Sequence, residues 1–278
     1  MAEDSDAFKQ QVQRAFLRFS KVLNENPWQQ KQYEEQGKAG SMLCIVCSSR
    51  FPKDFVDTHS LVMHAFNSQK IGLRAEHLGL HKVLCVSMGW NHVVAPDNAK
   101  VYQSLPSPDA RAMKEDLILW PPLVIVHNAN SEMKKNGSEH VIRNLDMDEI
   151  LQGLRFSNGK LKVVNGSSAI QGTLLVKFSS IFSGLQEAEQ LHKNCEDNHY
   201  GRNDWLQVQS QNKSQQNISE DSDLLQADGN ARDGKKPFYG YIGIAGDLEK
   251  VDFDTKKRTL VKSRKDIEAI TDGPVHGA

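Results

Sequence analysis

The chain has 278 residues, with 34 Lys and Arg against 35 Asp and Glu, so its formal net charge is −1. That length accommodates one or two domains with real cores, and the balance excludes a globally basic nucleic-acid binder, leaving local patches to meet any anion. Only 38% of residues are hydrophobic, and no apolar run approaches the roughly 18–20 residues of a membrane span.

The longest apolar run, Leu117 to Val126, is interrupted by Pro121 and Pro122. The first residues, MAEDSDAF, offer neither the basic flank nor the apolar core of a signal peptide. An intracellular protein of the nucleus or cytoplasm is expected, neither secreted nor membrane-bound. In that reducing setting Cys44, Cys47, Cys85 and Cys195 read as metal ligands or buried thiols, not disulfides.

Residues 1–40 read as a helix and a linker. Phe8, Val12, Phe16, Phe19 and Leu23 recur in steps of three and four, with Ser5 or Asp6 as cap, which predicts an amphipathic helix over 6–24. Residues 28–40 are polar and read as linker.

Residues 41–67 carry Cys44-x2-Cys47-x11-His59-x4-His64, the spacing of a Cys2His2 zinc site. Two thiolates on a knuckle supply one edge of a tetrahedron and two histidines on a helix the other. Phe51, Phe55, Val56 and Met63 are available as a miniature core. One structural Zn2+ held by Cys44, Cys47, His59 and His64 is expected. Four protein ligands leave no position for a catalytic water, and no HExxH or Gly-x-Ser-x-Gly motif occurs, so the protein reads as a non-enzyme.

Residues 68–116 read as a helical connector, with a helix over about 68–90. His77, His81 and Cys85 fall at i, i+4 and i+8 there; a second metal stripe is conceivable, but partly exposed histidines and a buried thiol fit the pattern better.

From 117 to 272 the texture becomes α+β. Leu123–Val126 is a β-branched strand, Asp146–Leu154 a helix, and Leu161–Val164 and Gly172–Phe178 two more strands. A helix capped by Ser179 or Ser180 runs to Cys195. Residues 208–234, dominated by Gln, Ser and Asn with acidic residues, read as a disordered insertion. Phe238–Ile244 resumes as a strand, and a basic strand and short helix close the chain. The order βαββαβ is the ferredoxin-like arrangement of RNA-recognition motifs (RRMs). The third strand, Gln171-Gly-Thr-Leu-Leu-Val-Lys-Phe178, carries Thr173 and Leu175 at the outward positions where an RNA-binding octamer carries aromatics. Base stacking on that sheet is therefore not expected. Residues 250–265 hold seven Lys and Arg, Lys250 among them, against Asp252 and Asp254, a local positive excess suited to phosphates, with Lys256, Lys257, Arg258, Lys262, Arg264 and Lys265 as the candidate RNA contacts.

Together, Cys44 to His64, Trp120-Pro-Pro-Leu-Val-Ile-Val-His-Asn128, Gly172 to Phe178, Glu187-Ala-Glu-Gln-Leu-His192, Arg202-Asn-Asp-Trp205, Tyr239-Gly-Tyr241 and Asp247-Leu248 resemble the plant XS domain with its preceding XS-type zinc finger. The resemblance implies an RRM-like domain that binds double-stranded or structured RNA, without catalysis. It further implies other silencing-pathway proteins as partners, in RNA-mediated gene silencing or RNA-directed DNA methylation. Such proteins usually continue into a long coiled coil, so the oligomeric state stays open. The alternative is an interaction scaffold in a silencing complex that has lost direct RNA binding.

Overall fold

In the computed structural model, the Ser5 side chain caps helix α1 (Asp6–Glu25) by accepting a hydrogen bond from the Phe8 amide at 3.3 Å. The structure describes residues 3–35, 42–47, 53–97, 104–128, 162–165, 173–216 and 238–271. These are mixed helix and sheet, as the α+β reading expects. They divide into two units. The first is Met1–Trp120, Ile244–Glu249 and Thr259–Ala278; the second is Pro121–Gly243 and Lys250–Arg258.

The first unit is built on helices. α1 buries Phe8, Ala15, Phe16, Phe19 and Leu23, the stripe its periodicity predicts, with Val12 half-buried beside it. Helix α2 (Pro27–Glu34) occupies most of the expected linker. Proline at the first helical position has its φ preset and has no amide to leave orphaned, so a polar segment can start a helix there. Its Tyr33 is buried, and the Tyr33 carbonyl accepts from the Thr58 hydroxyl at 2.6 Å. Strands β1 (Met42–Leu43) and β2 (Asp54–Phe55) pair antiparallel. Helix α3 (Thr58–Asn67) follows, with the Asp57 carboxylate accepting from the Ser60 amide.

Helix α4 (Arg74–Met88) lies against α1 and α3. The close approach to α1 depends on Gly79, where a Cβ would come 2.5 Å from Ala15 Cβ and 2.8 Å from the Phe16 amide nitrogen. Gly89 ends α4 at φ +70°, its backbone turning so that the Trp90 amide returns to the Cys85 carbonyl. Helix α5 (Ser107–Glu115) leads to strand β3 (Leu117–Trp120), which pairs antiparallel with β8 (Leu260–Ser263). Helix α9 (Arg264–Thr271) follows β8. Its Asp266 accepts from Gln13 at 2.7 Å, and Gln13 accepts from Lys82 at 3.0 Å, joining α9 to α1 and α4.

The second unit is a four-stranded sheet of β4 (Leu123–Asn128), β5 (Lys162–Asn165), β6 (Thr173–Lys177) and β7 (Phe238–Ile242). Its spatial order is β5-β6-β4-β7, with every neighbouring pair antiparallel. Helix α6 (Phe182–Asp197) packs along β7 and β4 through Leu185, Ala188, Leu191 and Cys195. It begins after Ile181, and no side chain caps it, so the expected serine cap is not made.

Helix α7 (Arg202–Gln216) runs through the first third of the segment expected to be a disordered insertion. The Asp204 carboxylate accepts from the Gly201 amide at 2.9 Å, and Trp205 anchors the helix in the core. Composition alone hides this, because a helix with one buried aromatic needs little other apolar surface. The rest of that insertion, and the helix expected over 146–154, lie outside the described residues. A 3-10 turn (Ala245–Lys250) and helix α8 (Phe253–Arg258) precede β8, so Arg258, expected to open the basic strand, instead ends α8.

Candidate metal centre and nucleic-acid interface

Cys44 and Cys47 sit on a tight turn after β1, with the Cys47 amide donating to the Cys44 carbonyl at 3.1 Å. The turn aims both thiols toward α3 and α4. His64, in the last turn of α3, brings Nε2 to 3.4 Å from Cys47 Sγ. His77, in the first turn of α4, brings Nε2 to 3.2 Å from the same sulfur. The ligand atoms of Cys44, Cys47, His64 and His77 all lie within 4.8 Å of one another. A tetrahedral zinc with bonds of about 2.0–2.3 Å separates its ligand atoms by about 3.3–3.8 Å, so the cluster fits one ion.

His59 is not one of the four. It lies on α3 five residues before His64, and at 3.6 residues per turn that places the two about 140° apart around a regular helix. The fourth member of the cluster is His77, from the next helix. Its Nδ1 lies 2.8 Å from the Leu73 carbonyl, which holds the proton on Nδ1 and turns the Nε2 lone pair toward the sulfurs.

Burial shapes the titration of the donors. It pushes the Cys44 thiol up to about 11 and the His64 imidazole down to about 4, with the His77 charge adding to the latter. His77 is lowered as well, first by burial. Neutral imidazoles are what a cation binds, while the thiols must lose their protons to it. Lys70 donates to Cys47 Sγ at 3.4 Å. Phe55 packs a ring against His64 at 4.8 Å between centroids. Val56 is 80% exposed and contributes nothing to this core, which is completed by Leu61, Val62 and Ala65. Phe51 lies outside the described residues.

Farther along α4, His81 and Cys85 are buried, with Nε2 and Sγ 3.5 Å apart. The stripe His77, His81, Cys85 therefore divides. His77 belongs to the metal cluster, whereas His81 packs its ring against Phe66 at 5.1 Å and serves the core.

On the four-stranded sheet, register puts Ile125, His127, Thr173, Leu175, Lys177, Tyr239 and Tyr241 on one face. Thr173 and Leu175, expected to point outward, are 3% and 0% exposed. The cover is α7. Trp205 stacks on His127 with ring centroids 4.5 Å apart and planes 6° apart, and it also meets Tyr239. Beneath the indole, His127 Nδ1 lies 3.2 Å from Thr173 Oγ1 and its Nε2 lies 2.8 Å from Tyr241 Oη.

The basic residues near the end of the chain do not form one element. Lys256, Lys257 and Arg258 occupy the last turn of α8, in the second unit; Lys262, Arg264 and Lys265 lie on β8 and α9, in the first. Lys257, Arg258 and Lys265 are exposed. Lys262 places Nζ 4.6 Å from the centre of the Trp120 ring. The Arg264 and Lys265 amides both donate to Asp116, as does the Ser263 hydroxyl. Among the described residues, no helix is long and apolar enough to cross a membrane.

Among known protein families, residues 115–250 match the one described as the XS domain. No curated protein and no solved structure matches the chain.

Proposed function

We propose, from the premise that this chain carries an XS domain over residues 115–250, that it is a non-enzymatic protein of RNA-mediated gene silencing that binds duplex or structured RNA. The sheet order carries the reading. Counted in sequence, β4, β5, β6 and β7 lie antiparallel in the order second, third, first, fourth, which supports a ferredoxin-like or RRM-like reading. An RRM binds single strands by stacking bases on the face that carries the octamer positions. Here the octamer positions Thr173 and Leu175 are buried, and Trp205 stacks on the same face over His127. What remains for RNA is recognition from outside, by shape and phosphate charge, which favours a duplex over a single strand.

The Cys44, Cys47, His64, His77 cluster supports a single structural zinc, which would tie the β1 turn to α3 and α4. With four protein donors it has no open position for a reacting water, so it serves the fold and not catalysis.

The test is a gel-shift series with blunt duplex RNA, duplex RNA with a 5′ overhang, and single-stranded RNA over a range of salt. The reading expects duplex preference and a steep loss of affinity as salt rises. Absence of any duplex preference sinks it. Partners that persist in a pull-down after nuclease treatment would then support the scaffold instead.

A further inference from the structure

We infer that Phe253 stacks on the terminal base pair of a duplex RNA, while Lys256, Lys257 and Arg258 of the same short helix hold the phosphates beside that end; this rests on the reading of the protein as a duplex RNA binder. Phe253 opens α8 and is 79% exposed. One exposed ring is ordinary by itself. Its neighbours set it apart.

Lys256 and Lys257 lie three and four residues on, the spacing that shares a helix face with Phe253 one turn away, about 5.4 Å along the axis. Lys257 and Arg258 are exposed, and Lys256 is half-buried. Among the described residues none of these three is held in an ion pair. Asp254, exposed beside the ring, offsets one of the three charges. The helix itself is anchored from its other side. Val251 and Thr255 are buried, the Asp252 carboxylate accepts from the Thr255 amide at 3.0 Å, and Lys177 of β6 donates to the Thr255 hydroxyl. Thr255 is two residues from Phe253, about 200° around the helix, so fixing the one presents the other to solvent. A ring and cations carried on a fixed backbone need little ordering when a ligand arrives.

The chemistry of the patch favours nucleic acid. A protein interface surrounds its anchor with further apolar side chains, whereas Phe253 is the one large apolar residue of α8 and its companions are cations. Aromatic stacking combined with phosphate contacts is how bases and backbone are gripped together. Bases inside a duplex are covered by their neighbours, and parting a step is costly. The terminal pair offers a bare, flat face without that cost. It is also wider and more ordered than one base of a flexible strand, so the duplex keeps its advantage. The octamer positions Thr173 and Leu175 are buried and carry no ring, and Phe253 supplies a stacking group away from the sheet.

The experiment titrates the full chain into blunt duplex RNA carrying 2-aminopurine, a base whose fluorescence falls on stacking, at either the terminal or the central pair. Wild type is expected to quench the terminal probe and leave the central one unchanged. Phe253→Ala should abolish the quenching and weaken binding about tenfold, as loss of one base–aromatic stack implies, with an unaltered salt slope. Phe253→Trp should retain both quenching and affinity, and Phe253→Leu, apolar without an aromatic face, should lose both. Joint Lys256→Gln and Lys257→Gln substitution should instead lower the salt slope by about two. Because the ring is exposed, Phe253→Ala should melt as wild type does; if it does not, Phe253→Leu decides by the same readouts. A folded Phe253→Ala with wild-type affinity and quenching overturns the site and leaves duplex binding standing, as does quenching of the central probe by wild type. Loss of a nuclease-resistant protein partner from Phe253→Ala, with RNA binding intact, overturns it likewise. A wild type without duplex binding at any salt overturns both readings.

Discussion

Cys47 and His77, 30 residues apart in sequence, bring Sγ and Nε2 within 3.2 Å of each other. That one approach changes what the Cys/His segment is. A finger closed by His59 would be self-contained, whereas one closed by His77 makes α4 part of the metal site. Because α4 also lies against α1, the cation would hold a helical unit together and not only a small loop.

Substitution at the two histidines should therefore separate cleanly. His77→Ala, like Cys44→Ser, is expected to lose a tightly bound zinc, and His59→Ala to retain it. Structural zinc in small domains is bound with an apparent free energy on the order of 10 kcal/mol, much of it folding energy. His77→Ala should accordingly lower the melting temperature sharply and remove its dependence on chelator. Elemental analysis of the purified variants checks this. Retention of one zinc by His77→Ala together with its loss from His59→Ala would restore the self-contained finger.

Gly79→Ala tests the helix packing behind the site. The added Cβ meets Ala15 and the Phe16 backbone nitrogen, and backbone cannot swing aside. Helix propensity alone would favour alanine by about 1 kcal/mol. Overpacking opposes it with about 1–3 kcal/mol, so net destabilisation is expected. Urea unfolding followed by circular dichroism measures it, and a stabilised Gly79→Ala would mean that the two helices are not held this close.

Much of this arrangement is legible in the sequence, and what is not legible has physical causes. The α1 stripe, the three strands β4, β6 and β7 and the two cysteines follow from local periodicity and spacing, which the fold leaves intact. Spacing groups Cys44, Cys47 and His64 together, but it assigns His77 to a helix face. Helical geometry contains the missing signal: His59 and His64 differ by about 140° on a regular α-helix, while His77 opens the next helix. The helices Pro27–Glu34 and Arg202–Gln216 escape a pattern-based reading because each is polar and held chiefly by one buried aromatic, Tyr33 or Trp205. Hydrophobic periodicity cannot register a single anchor. The stacking of Trp205 over the sheet is a tertiary fact with no local trace.

His81 makes an acid-sensitivity prediction. Burial among Phe66 and Cys85 lowers its imidazole to about 4, with the charges of His92 and Arg74 adding to the effect. An unfolded histidine takes its proton near 6.5. Between those values the unfolded chain holds more protons, so the stability fully present above pH 6.5 is lost as pH falls to about 4, and no further loss from this group follows below. The contribution is on the order of 3 kcal/mol over that window. His64, His77 and His92 are lowered too, so wild type must be compared with His81→Leu. Denaturant melts at several pH values should show a shallower acid loss in His81→Leu. Parallel pH curves for the two proteins would contradict it.

Trp205 gives the last test, because its two ends have opposite effects. The ring is 2% exposed and stacked on His127, so removal leaves a large cavity on the sheet. Trp205→Ala should cost about 3–5 kcal/mol. Its Nε1, however, is a buried donor with no acceptor among the described residues. An unmet buried donor costs about 1–3 kcal/mol, and Trp205→Phe removes it while keeping a ring over His127. The phenyl fills less of the space, so the two terms oppose each other and the net loss should be well below that of alanine. Urea unfolding of both variants, with the near-ultraviolet spectrum as a check on the sheet face, resolves the terms. Equal losses for Trp205→Phe and Trp205→Ala would mean that the indole N–H finds a partner in solution, and that the stack is held by a hydrogen bond as well as by area.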